Sequence, residues 1–142
     1  MSLAGSVVSG LAGGSDGYAA YQRITNGGFA SGANWTILAA AWLISGGAAT
    51  SQAAGGIEQS CGLVNSGRTV SIVFDTLTTH TLKLFEIRLY RSGSLVQTVN
   101  RLLNAAGTQT VTPFACNADW DKIRFVTTDA ETVTIDNVSV IA

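Results

Sequence analysis

Charge is what this sequence has least of. Asp, Glu, Lys and Arg make up 12% of its residues, about half of the ~25% found in an ordinary globular domain. The few basic residues are scattered from Arg23 to Arg124, and the formal net charge is −1. Nucleic-acid contact needs clustered Lys and Arg to displace counterions, so no nucleic-acid partner is expected. No apolar run approaches the roughly 20 residues that a bilayer demands. The longest, "ILAAAWLI" from Ile37 to Ile44, falls far short, and no membrane span is expected. Histidine occurs once and cysteine twice, at His80, Cys61 and Cys116. These lack the ligand spacing of a zinc site. The opening "MSLAGSVVSGLAGGSDG" has neither a basic n-region nor a sustained apolar h-region. The expectation is a chain without an export signal that starts naturally at Met1. Cysteines in such a chain are more often free and buried, with a Cys61–Cys116 bridge as the alternative.

What is present is small and polar. A mean hydropathy of +0.31 with so little charge implies a surface of Ser, Thr, Asn, Gly and Ala. Such a surface is poorly protected against association and is expected to be covered by partners. At 142 residues the chain is one domain. Residues 1–22 read as an extended Gly/Ser/Ala-rich arm carrying Tyr18 and Tyr21, followed by a folded domain over 23–142. The arm has little apolar mass of its own. It is expected to lie on a neighbouring subunit or a major capsid protein, with both tyrosines as anchors.

From Ile24 on, the period is two. "TVSIVFDTL" sets Val70, Ile72 and Phe74 on one face and Ser71, Val73 and Asp75 on the other. "KLFEIRLYR" sends Phe85, Ile87 and Leu89 inward and Glu86, Arg88 and Tyr90 outward, and "KIRFV" puts Ile123 and Phe125 in. The last run "ETVTIDNVSVIA" slips by one residue at Asp136–Asn137, which predicts a bulge. "NSG", "RSGS" and "NAAG" separate the runs. The fold class is all-β, a two-sheet antiparallel sandwich.

"NGGFASGANWTI" (Asn26–Ile37) resembles the N-terminal signature of jelly-roll carbohydrate-binding modules of the galactose-binding-like type. "GGIEQSCGL" with Gln59, "SGRTVSIVFD" and "VTIDNVSVIA" resemble later strands of the same modules, in order, so the likeness runs from Ile24 to Ala142. Asn26, Gly27 and Gly28 would allow a tight turn that brings Phe29 over the sandwich, with Trp35 entering the core. The resemblance implies a structural calcium ion held by a Glu of the opening turn and an Asp of the closing strand. Asp136 matches the second, but Ala30 stands in place of the Glu. No cofactor is therefore expected, and Asp136 is read as capping its own bulge.

The parts for catalysis are few. His80 has no nucleophile motif beside it and reads as a solvated loop histidine. Asp119 and Asp121 flank Trp120, but alternating positions on a loop are a poor carboxylate pair. The chain reads as a non-enzyme. Glycan binding needs aromatic faces that stack on sugar rings. The candidates are Trp120, just before a strand, then Tyr90 on a polar face, then Trp42, which an apolar strand "AAAWLI" would bury. Two functions remain. The first is a virion structural protein, foremost a phage capsid decoration (cement) protein, or a tail or fibre component. It would be made in the host cytoplasm and self-associate, a trimer being one candidate state. The second is a secreted module that binds a surface polysaccharide.

Overall fold

The computed structural model describes residues 19–142. The part of the arm from Met1 to Tyr18, including the Tyr18 anchor, lies outside them. The described residues form strands β1 (Thr36–Ile37), β2 (Trp42–Ser45), β3 (Ala48–Ser51), β4 (Gly55–Val64) and β5 (Thr69–Thr76). They continue as β6 (Lys83–Arg91), β7 (Ser94–Leu103), β8 (Gly107–Ala115), β9 (Trp120–Thr127) and β10 (Thr134–Ile141). The front sheet has the order β1-β4-β9-β6-β7 and the back sheet β2-β3-β10-β5-β8, with antiparallel neighbours throughout. This is a jelly-roll sandwich.

The alternation in sequence is the cause of the layering. Val70, Ile72 and Phe74 of β5 face Phe85, Ile87 and Leu89 of β6 and Ile123 and Phe125 of β9 across the buried interior. Phe74 comes from the back sheet, and its ring centroid lies 5.4 Å from Phe85 and 6.1 Å from Phe125. Phe29 and Trp35 join this core, 4.9 Å apart. Their loop winds around the Asn26 side chain, whose Nδ2 donates to the carbonyls of Ser31 and Ala33 at 2.8 and 2.9 Å. Gly27 presses against the closing strand, where an added Cβ would sit 2.1 Å from the Val138 carbonyl oxygen. Only glycine fits there.

The turns follow their chemistry. Ser92 and Gly93 join β6 to β7 with φ of 49° and 84°, the two positive values that a tight hairpin with the sheet's own twist requires. The register of β10 against β5 breaks between Asp136 and Ser139, and Asn137 takes φ 49°. Asp136 Oδ1 accepts the Asn137 N–H at 2.7 Å, so it does cap its bulge. Cys61 and Cys116 are both free, and burial pushes the Cys61 thiol up to about 12.

Three sequence expectations need correction. "AAAWLI" is a strand only from Trp42 on, because Ala39 and Ala40 at φ 53° turn the chain from β1 in the front sheet to β2 in the back one. His80 is buried, not solvated. Its Nδ1 meets a carboxylate oxygen of Glu131, and its Nε2 lies 2.7 Å from Thr78 Oγ1. The end of the arm belongs to this sandwich. Tyr21 and Ala142 exchange both main-chain hydrogen bonds at 3.2 Å, and Gln22 bridges Ile141. Tyr21 as a residue remains 54% exposed, with the Arg23 guanidinium over one face of its ring. Among the described residues no helix is long and apolar enough to cross a membrane.

Candidate functional site

The outer face of the front sheet carries a charged grid. Register sets it: Arg124 of β9 lies between Glu58 of β4 and Arg88 of β6, and Lys122 lies between Ser60 and Tyr90. Outward positions two apart on one strand thus meet outward positions on both neighbours. Glu58 is the hub. It accepts from Arg124 Nε and Nη2 at 2.8 Å on one oxygen and from Lys122 Nζ at 3.0 Å on the other. Its carboxylate is almost fully buried, and two cations compensate the lost hydration. Arg88 makes a forked contact to Glu86 at 2.7 and 2.8 Å. That hydrogen bond holds the Arg88 guanidinium above its ordinary pKa, against the opposing effect of burial.

Gly56 makes room for this grid. A Cβ there would come within 2.8 Å of the Arg124 Cδ, so the arginine stem lies flat over bare backbone. The guanidinium then reaches across to Tyr90, 4.0 Å above its ring centroid, and donates from Nη1 to the phenol oxygen at 2.7 Å.

At the end of the face nearest the β6–β7 turn the grid opens into a depression of about 510 Å³, lined by Ser60, Leu63, Arg91, Ser92, Asp121 and Lys122 among others. Asp121 accepts from Arg91 Nη1 at 2.9 Å. Acid, base and hydroxyl groups converge here on a surface open to solvent.

The candidates named from sequence lie elsewhere or are covered. Trp120 is fully buried at 0% exposure, since the residue opening β9 points between the sheets. Tyr90 does project to the outer face, but Arg124 lies over it and leaves 6% exposed. Trp42 is core, as expected, and donates from Nε1 to the Gly55 carbonyl at 3.1 Å. None of the three offers a free ring face to a sugar. Asp119 accepts the N–H of Ser66 from the β4–β5 loop at 2.8 Å, while Asp121 accepts from Arg91, so the two carboxylates are engaged with different loops.

The residues present do not fit a hard cation at the opening turn. Ala30 brings no carboxylate, its N–H donates to Asn26 Oδ1 at 3.0 Å, and the amide nitrogen of Asn26 takes the nearby carbonyls. A donor occupies the place where a calcium ion would need oxygen ligands. Glu58, Lys122 and Arg124 were not singled out from sequence. Outward alternation of "KIR" was visible, but their convergence on Glu58 needs the register of β4 against β9.

No family model matches the sequence, and no curated protein does. Solved structures match in fold. The enzymatically active domain of bacteriophage CBA120 tailspike protein 4 is 17% identical with a TM-score of 0.57. The match covers 84% of this chain and 21% of the tailspike, so this chain spans about a fifth of that protein's length. The family 35 carbohydrate-binding module of Paenibacillus barcinonensis is 17% identical with a TM-score of 0.53, over 87% of this chain and 98% of the module. A family 29 module variant solved with cellulohexaose is 14% identical with a TM-score of 0.55, over 86% and 89%. The chain shares the jelly-roll fold of these modules, a fold also used in phage proteins.

Proposed function

We propose that the protein is a non-catalytic carbohydrate-binding jelly roll that takes a polysaccharide on the outer face of its front sheet. The observation that carries this is the open depression where Ser60, Asp121, Lys122 and Arg91 converge, contiguous with the Glu58–Arg124 grid. Neighbouring hydroxyls of a sugar both donate and accept, and an acid beside a base satisfies both roles. With Trp42, Tyr90 and Trp120 covered, recognition rests on hydrogen bonds, without ring stacking. Fold alone does not carry function, and the modules of the same fold support this reading only in combination with that face. Affinity electrophoresis through gels containing hydroxyethylcellulose, xylan or a bacterial capsular polysaccharide tests it. One of them should retard the protein, and Asp121→Ala with Lys122→Ala should abolish the retardation in a variant that circular dichroism shows to be still folded. Equal mobility in every gel, or retardation that survives the double change, would sink the proposal.

A second reading places the same module in a virion, where a glycan-binding face would serve attachment. The tailspike likeness favours a tail or fibre component. Capsid decoration, with a major capsid protein as partner, draws support only from the low charge of the sequence. Secretion as a free module is the alternative location. Co-sedimentation with purified particles separates the two.

A further inference from the structure

Among the described residues the sandwich has four edge strands, and they are not equally protected. β1 has two residues and β2 has four, which is too short to template a partner. β8 carries Pro113 and an irregular register near Val70 and Ile72. β7 differs: ten residues, "SLVQTVNRLL", without proline, lysine or acid, and no described strand pairs with its outer side. A long edge of free N–H and C=O groups without a guarding charge is a template for another strand. Its one charge, Arg101, points between the sheets and donates to Gln109 Oε1 from Nε and Nη2 at 3.2 and 3.1 Å.

We infer that β7 is a self-complementary edge and that its occupant is β7 of a second copy, paired antiparallel about a two-fold axis through Val99. In that register Thr98 lies opposite Asn100 of the partner subunit, and Gln97 opposite Arg101 of the partner subunit, so no like charges meet. The bulge in the hairpin adds a second argument. Gln97 pairs with Leu89 but Leu95 with Tyr90, so the extra residue turns Leu95 to the outer face. Leu95 and Leu102, 50% and 53% exposed at opposite ends of the strand, then come side by side across the axis. Burying each against the other removes two exposed apolar patches at once. A two-fold perpendicular to the sheet keeps both outer faces on one side. The pair presents two copies of the Glu58–Arg124 face to one surface, which raises avidity for any repeating polymer without a new contact.

Sedimentation velocity of the full chain over a concentration series, with paired charge variants, tests this register. Thr98 and Asn100 are exposed, opposite Arg88 and Glu86 within the chain. The native chain should be dimeric at the upper concentrations. Thr98→Glu with Asn100→Glu sets carboxylates opposite each other on both sides of the axis. It should raise the dimer dissociation constant about tenfold or more. Thr98→Glu with Asn100→Lys makes the same positions complementary and should restore the dimer. Circular dichroism melting confirms that both variants are folded. If either fails to fold, Thr98→Glu alone and Asn100→Lys alone, mixed in equal amounts, should give a heterodimer. A native chain that stays monomeric, a trimer, or a dimer indifferent to the double-acid variant would each overturn the inference.

Discussion

Asp129 and Lys83 form an unequal pair. The lysine side chain is buried, while the carboxylate that accepts its hydrogen bond is more than half exposed and also accepts the Glu131 N–H at 2.9 Å. The Lys83 hydrogen bond, foremost, and that N–H hold the Asp129 carboxyl below its ordinary value of 3.8. A depressed carboxylate contributes stability that is complete above its unfolded pKa. That contribution is lost as pH falls through the folded value. The contact should therefore be intact at neutral pH and weaken below about pH 4. Asp129→Asn leaves the Lys83 ammonium without its counter-charge. It should melt lower than the parent at pH 7, and its melting temperature should fall less between about pH 5 and pH 2.5. Thermal melts across that range check both expectations, and parallel curves for the two proteins would remove Asp129 from the acid response.

At the scale of elements, the segment before Ile24 is part arm and part strand. Gln22 is stitched in by its side chain: Oε1 accepts from Ile24 and Val140 N–H at 3.1 and 2.8 Å, and Nε2 donates to Ser139 Oγ at 2.8 Å. With the two Tyr21–Ala142 bonds, these hold the C-terminal strand from its far side. Each bond contributes on the order of 1 kcal/mol net. A truncation that removes residues through Gln22 loses the four bonds to the C-terminal strand, about 4 kcal/mol, and should thus melt roughly 10–20 °C below one that stops at Tyr18. Differential scanning calorimetry of the two truncations checks this, and equal melting would show that the Tyr21–Gln22 pairing carries no stability.

At the scale of the whole molecule, the two sheets share one aromatic core. Phe74 reaches from the back sheet to Phe85 and Phe125 of the front sheet, and all three are fully buried. Neither sheet can open without exposing the rings of the other. Phe74→Ala should cost about 3–5 kcal/mol. Because the rings bridge both layers, near- and far-UV circular dichroism should record the loss in the same urea transition. Two separate transitions would mean that the sheets unfold independently. A variant as stable as the parent would remove Phe74 from the core.

The period of two in "TVSIVFD", "KLFEIRLY" and "KIRFV" determined the fold class and most of the core, because inward and outward positions along a strand follow from pleat alone. Turn residues did the same for the hairpins, and the slip at Asp136–Asn137 foretold a bulge that β10 does contain. Inward or outward, however, is a property of one strand, while exposure depends on what lies alongside. Tyr90 was correctly placed outward, yet Arg124, from a strand 34 residues later, covers it. His80 meets Glu131 across 51 residues, and Glu58 meets Arg124 across 66. Trp120 looked like a loop residue before a strand and is instead the first buried side chain of β9. These placements depend on strand order and register. Both are set by the packing of the two sheets on each other, which no local run of residues encodes.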